Sequence, residues 1–158
     1  MFFLKKSIIV SLILTSCHVA LFAEKVEITS NSMQAANIKK EVHFSGNVHI
    51  KQGKNWIRSQ NVVVYFNEQN LTKKYMATGG VKFEFKQKKS AYKGKAKTLT
   101  YFPNSSQYIL EGKAVIDDMI NKRHVQGNKI VFDMLTGNAK VKGSRKRPIK
   151  FIFDMDVK

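Results

Sequence analysis

The sequence predicts an all-β protein built from a repeated antiparallel unit, and three observations carry that prediction. From Lys25 onward, apolar residues recur at every second position along nearly the whole chain. A glycine followed by an alternating run is written four times: Gly46-Asn47-Val48-His49-Ile50, Gly79-Gly80-Val81-Lys82-Phe83, Gly112-Lys113-Ala114-Val115-Ile116 and Gly137-Asn138-Ala139-Lys140-Val141, the first three glycines 33 residues apart. A second motif, a small residue followed by two polar ones and an alternating run, is interleaved with the first. It reads Ser30-Asn31-Ser32-Met33, Ser59-Gln60-Asn61-Val62, Ala96-Lys97-Thr98-Leu99 and Gly127-Asn128-Lys129-Ile130. Self-similarity at this period marks stacked supersecondary units.

Taken in order, each run has the period-two pattern of Val, Ile, Phe and Tyr that makes a strand. Val26-x-Ile28 opens the series, followed by Val42-x-Phe44, Val48-x-Ile50 and Val62-x-Val64-x-Phe66. Val81-x-Phe83-x-Phe85, Leu99-x-Tyr101 and Ile130-x-Phe132 continue it, and Ile149 to Val157 alternates without a break. The opposite positions are mostly Lys, Thr, Asn and Gln, the pattern of an antiparallel sheet with one covered and one wet face. Turn chemistry separates the runs at Gly53, Asn67 to Asn70, Gln87 to Ser90, Pro103 to Ser106, Asn121-Lys122 and Gly137-Asn138. At that spacing the chain has room for about a dozen strands.

The second motif breaks the alternation. Ile28, Ile57 and Val125 precede the small residue by two positions, whereas Met33, Val62 and Ile130 follow it by three. A step of three inside a period of two predicts a bulge or corner that re-aims the apolar face. Stacked corners give a folded sheet with an apolar inner angle. An ordinary β-sandwich with bulges satisfies the same pattern, and the residues leave both open.

Residues 1–23 read as a secretory signal peptide: Lys5 and Lys6, then a mostly apolar stretch, then Ala23 as a small residue before the cut. Cleavage there leaves residues 24–158 as one domain. The apolar stretch is short for a membrane span, which makes a retained anchor the lesser reading. Leu14-Thr15-Ser16-Cys17 resembles a lipoprotein signal, but apolar residues continue to Phe22, where such signals turn polar. Cys17 is the only cysteine, so the cleaved chain has no disulfide, thiol nucleophile or cysteine metal site.

The net charge is +17, with 28 Lys and Arg against 11 Asp and Glu. Such an excess predicts an anionic partner or surface. In an exported chain that partner is phosphorylated lipid, a membrane surface or a glycan rather than nucleic acid. His43, His49 and His124 have no zinc-type spacing and read as polar-face strand residues. Asp117-Asp118 reads as a solvated turn rather than a calcium site, and Ser144-Arg145-Lys146-Arg147 as a solvated basic linker. No nucleophile elbow, phosphate loop or paired glutamates appear, so neither catalysis nor a cofactor is expected.

Val26-Glu27-Ile28-Thr29-Ser30, Val42-His43-Phe44-Ser45-Gly46-Asn47-Val48-His49-Ile50 and Gln60-Asn61-Val62-Val63-Val64-Tyr65 resemble the opening of the OstA-like family of exported lipopolysaccharide-transport proteins. Ala77 to Val81, Leu110 to Ala114 and Gly127 to Phe132 keep that family's rhythm, and the resemblance runs from Lys25 to Gly143. It implies a twisted, V-shaped antiparallel β-jellyroll whose inner angle holds the acyl chains of lipid A. It further implies a place in the periplasm, head-to-tail self-association, an LptC-like inner-membrane partner and an LptD-like outer-membrane partner. A membrane-anchored LptC-like role, or an exported structural or glycan-binding β-protein, is the alternative. Parity then makes Val26, Ile28, Phe44, Val48, Ile50, Val62, Val64, Phe83, Leu99, Tyr101, Ile130 and Phe132 the candidate lipid-binding residues. The alternating runs at Val26 to Thr29 and Ile149 to Val157 are the expected assembly edges.

Overall fold

The computed structural model describes residues 24–155. The signal-peptide reading of residues 1–23, Cys17 included, and the last positions of the tail, Val157 among them, lie outside the described residues. Ten strands follow one another: β1 Val26–Thr29, β2 Ser32–Ala36, β3 Glu41–Gln52, β4 Asn55–Phe66, β5 Thr72–Gln87, β6 Ser90–Phe102, β7 Gln107–Asp118, β8 Arg123–Asp133, β9 Ala139–Lys142 and β10 Lys150–Phe153. All pair antiparallel in one open sheet ordered β1-β3-β4-β5-β6-β7-β8-β10, with β2 also on β3 and β9 also on β8.

There are fewer strands than the turn spacing suggests because a strand does not end at a corner. The register shifts between Ser45 and Val48, Arg58 and Asn61, Thr78 and Val81, Lys95 and Thr98, and Glu111 and Ala114. The shifts divide each long strand between two walls. The first wall holds residues 41–45, 61–66, 72–78, 98–102, 107–111 and 129–133, with β2 at one end and β9 at the other. The second holds 48–52, 55–58, 81–87, 90–96, 114–118 and 123–127, with β1 and β10 at its ends.

The first three Gly-x pairs of the first motif are corners. Gly46 and Asn47 have φ of 80° and 47°, Gly79 and Gly80 83° and 81°, Gly112 and Lys113 76° and 47°. Two successive left-handed residues turn the strand, and a glycine in the first place meets that need without a Cβ penalty. The second motif completes the device. A Cβ on Gly46 would lie 2.7 Å from Asn31 Nδ2, one on Gly79 2.7 Å from Gln60 Cβ, and one on Gly112 2.9 Å from Lys97 Cβ. In the first three copies the polar residue after the small residue therefore lies across the next glycine of the first motif, which is why the two motifs alternate there.

The fourth glycine copy is not a corner. Gly137 is left-handed, but it closes the β8–β9 turn, where its N–H donates to the Asp133 carbonyl at 2.8 Å. Asp133 Oδ1 accepts from Leu135 N and Thr136 N in the same turn. The chain instead crosses to the second wall through the basic run, where Ser144 and Arg147 exchange backbone hydrogen bonds of 2.7 and 3.1 Å ahead of Pro148. The expected long final strand is reduced to β10, four residues paired with β8 from Lys150↔Gln126 to Phe153↔Arg123.

The corners predict opposite responses to two substitutions. Gly79→Ala forces a Cβ onto Gln60 in a left-handed backbone and should cost on the order of 2 kcal/mol. Lys113→Asn places a left-handed-tolerant residue at φ 47° and should stabilise by about 0.5 kcal/mol. Urea denaturation of both variants checks the pair.

Candidate functional site

The apolar faces of the two walls point at each other. Buried residues from both form one cluster, with Leu99, Leu110, Ile130 and Val62 fully enclosed. Two aromatic contacts span the interval between walls: Phe85 to Tyr108, with ring centroids 4.3 Å apart, and Tyr92 to Phe132 at 4.8 Å. Neither pair lies on adjacent strands, so each contact holds the walls together. Tyr101 stacks on Tyr108 at 4.4 Å, and Tyr75 stacks on Tyr101 at 6.0 Å.

At the mouth between the walls, Tyr75, Phe85, Tyr101 and Tyr108 border a cleft of about 110 Å³ with Val26, Ile50, Trp56, Ile57 and Pro103, and with the polar Gln52 and Asn55. Burial raises the pKa of Tyr108, with Tyr101 nearby adding to the effect; burial also raises that of Tyr101. The mouth is mostly apolar, and Tyr101 and Tyr108 carry neutral phenols there.

All twelve candidate residues lie on the inner faces, in three environments. Val48, Ile50, Val62, Val64, Phe83, Leu99, Ile130 and Phe132 are buried in the closed middle. Ile28, Phe44 and Tyr101 are half-buried against them. Val26, at 42% exposure, lies at the open N-terminal end.

Sequence reasoning missed Phe85, Tyr92 and Tyr108, which cross between the walls. Parity marks Phe85 as inward, but nothing local in the sequence says which rings meet across the fold. It also missed Met33, exposed at the N-terminal end, and gave Phe151 and Phe153 only an edge role. Phe151 is paired with Val125, and its ring stacks on Phe153 at 5.3 Å at the C-terminal end.

The outer faces, expected to be mostly polar, include an apolar row. On the first wall, Val63, Met76, Thr100, Ile109 and Val131 stand in one cross-strand row. Thr100 is buried because it lies directly between the longer Met76 and Ile109. His43 and His124 engage carboxylates on the outside, His43 with Glu41 at 2.9 Å and His124 with Asp117 at 2.6 Å. Asp118 accepts from Ile120 N, Asn121 N and Asn121 Nδ2, capping a turn.

The fold and its interior define a class: an open β-jellyroll folded around a continuous apolar seam that is closed in the middle and exposed at both ends. Residues 27–144 match the family described as LptA/(LptD N-terminal domain) LPS transport protein, and the chain belongs to that family. Among solved structures it is similar to LptH of Pseudomonas aeruginosa, described as the LptA homologous periplasmic component of the conserved lipopolysaccharide transport device. The match has a TM-score of 0.74 at 16% identity and covers 84% of this chain and 96% of that one. No curated protein matches by sequence.

The buried phenols predict an alkaline limit to stability. An unfolded tyrosine releases its proton near pH 10, while folded Tyr108 holds its proton to higher pH. Above pH 10 the folded state thus binds more protons, and stability present below that pH is lost as pH rises. Urea midpoints at pH 9 and pH 11 should fall more for the native chain than for Tyr108→Phe.

Proposed function

We propose that this chain is a periplasmic lipopolysaccharide-binding protein that shields lipid A acyl chains between its two walls and forms part of a bridge between the inner and outer membranes. The observation that carries the reading is the apolar seam in a chain of a lipopolysaccharide-transport family. Moving an acyl chain of about a dozen carbons from water into such a seam gains on the order of 10 kcal/mol. That suffices to hold a lipid in water with no covalent chemistry and no cofactor.

The cleft at the mouth is small beside ordinary ligand pockets of roughly 300–1,000 Å³. In this reading the lipid enters where the seam is already open, at Val26, Met33 and Phe44 or at Phe151 and Phe153, or it parts the Phe85–Tyr108 and Tyr92–Phe132 contacts. Residues 1–23 act as a signal peptide cleaved after Ala23, and lipid attachment at Cys17 is the competing fate.

Photo-crosslinkers at Phe44, Val62 and Leu99 should capture lipopolysaccharide, and crosslinkers at the outward Lys82 and Val63 should capture much less. The bound lipid should keep its mass. Equal labelling of both faces, or a deacylated or dephosphorylated product made by this chain, sinks the reading.

Assembly belongs to the same proposal. Each end of the sheet presents two short strands with a free edge, β1 and β2 at one end and β9 and β10 at the other. Unprotected edges accept another strand, and joining unlike ends gives open filaments rather than closed rings. Self-association is head to tail, with an LptC-like partner at one end of the bridge and an LptD-like partner at the other. Apparent mass in light scattering should rise with concentration, and deleting residues 150–158 should reduce that rise while leaving the β-sheet circular dichroism largely intact. An undiminished rise rules out β10 as the edge.

A further inference from the structure

The outer face of the second wall carries a row of cations that the apolar seam does not explain. Cross-strand register places His49 opposite Arg58, Arg58 opposite Lys82 and Lys82 opposite Lys95. The row continues through Val115 and Gln126 to Lys150 at the C-terminal edge. Arg58, Lys82, Lys95 and Lys150 are all exposed.

Like charges directly opposite one another on a sheet destabilise it, and carboxylates in between would relieve the repulsion. Among the described residues, none lies within ion-pair distance of Arg58, Lys82 or Lys95. Of the acids on this face, Glu84 is engaged with Lys86 at 2.6 Å and Asp117 with His124, and Glu27 lies at the N-terminal edge opposite Lys51.

The wall is hollowed beside this row. Two shallow depressions of about 380 Å³ each share Lys82. One is lined by His49, Arg58 and Gly80; the other by Lys93, Lys95 and Trp56 together with the carboxylates of Glu84 and Asp117. His49 Nε2, in the first depression, is buried without a hydrogen-bond partner. The basic composition of the chain does not account for the pattern, because the corresponding row on the first wall is Val63, Met76, Thr100, Ile109 and Val131.

We propose that the outer face of the second wall, centred on Arg58, Lys82 and Lys95, is a docking surface for the phosphate groups of an anionic lipid membrane. Strand spacing of about 4.8 Å spreads these cations over roughly 10 Å of open sheet. They therefore meet several phosphates on a surface rather than converge on one ion. Trp56 lies half-buried on the same face with the Arg58 guanidinium 5.2 Å from its ring centre. A tryptophan among cations is the side-chain combination suited to a headgroup layer. Arg58, Lys82 and Lys95 lie on the reverse of the wall from the seam, behind Ile57, Val81, Phe83 and Ala96, so a lipid between the walls does not occupy them; Trp56, at the strand end, also borders the mouth cleft. The seam can load while the molecule rests on a membrane.

The test is sedimentation of the exported protein with phosphatidylcholine vesicles with and without phosphatidylglycerol. Binding should require phosphatidylglycerol and weaken as salt is added. The triple variant Arg58→Gln/Lys82→Gln/Lys95→Gln should lose roughly a hundredfold in affinity. The variant Lys74→Gln/Lys129→Gln/Lys140→Gln, which removes equal charge from the first wall, should bind nearly as the native protein does, and Lys82→Arg should retain binding. Circular dichroism establishes that each variant is folded. Capture of lipopolysaccharide by a crosslinker at Leu99 should be unchanged in the first triple variant, which separates failure of this surface from failure of the seam. Equal losses in the two triple variants would reduce the effect to net charge and overturn the proposal. So would displacement of the vesicles by inorganic phosphate at constant ionic strength, which would mark a single-ion site, or binding to an acidic polypeptide with none to vesicles.

Discussion

The fold rests on one backbone constraint: a strand must enter the left-handed region twice in succession without losing its neighbours. Gly46-Asn47, Gly79-Gly80 and Gly112-Lys113 satisfy it on β3, β5 and β7. The intervening strands β4, β6 and β8 answer with a single residue, Gln60, Lys97 or Asn128, opposite each bulged pair. Because the bulged strand carries the extra residue, the sheet bends at the same line in each long strand from β3 to β8. Without that line the same alternation would give one flat sheet, with its apolar face exposed to water.

Folding the sheet creates an interior, and the aromatic residues decide how closed it is. Phe85 on Tyr108 and Tyr92 on Phe132 each join strands that do not pair, so they act between walls. Such contacts contribute about 0.5–1.5 kcal/mol beyond the area they bury. They stabilise the molecule in water and oppose the separation that a guest in the middle requires. The ends carry less of this conflict, since Met33, Phe151 and Phe153 are exposed already. Stability and capacity therefore occupy different parts of one seam.

Much of this was legible in the residues, for a physical reason. Side chains on a strand alternate between faces, so Val48, Ile50, Val62, Phe83, Leu99 and Ile130 are assigned inward by counting alone. The corner was legible as a step of three where two was expected, between Ile57, Ser59 and Val62. Tertiary distance was not. Nothing local to Tyr92 says that it reaches Phe132 rather than solvent near its lysines. Gly137-Asn138 has the letters of a corner, but the chain reverses there within one wall, with the Asp133 carboxylate organising the turn. The outward row of Val63, Met76, Ile109 and Val131 was obscured in a different way. In β4 the run Val62-Val63-Val64 is apolar at every position, and parity, which turns Val62 and Val64 inward, gives no sign that the outward Val63 belongs to an apolar row.

The 33-residue period also has a metric meaning. One period contributes two strands, and each strand advances the stack by about 4.8 Å. A duplicated or deleted period would lengthen or shorten the molecule by about 10 Å while leaving the angle of the corner and the width of the seam as they were. Contacts in such a stack are chiefly between nearest neighbours, so the change would be felt only where the inserted unit meets its two flanks. Length is thus a property that evolution or a designer can set in discrete steps, independently of cross-section. The corner glycines are the graduations of that ruler.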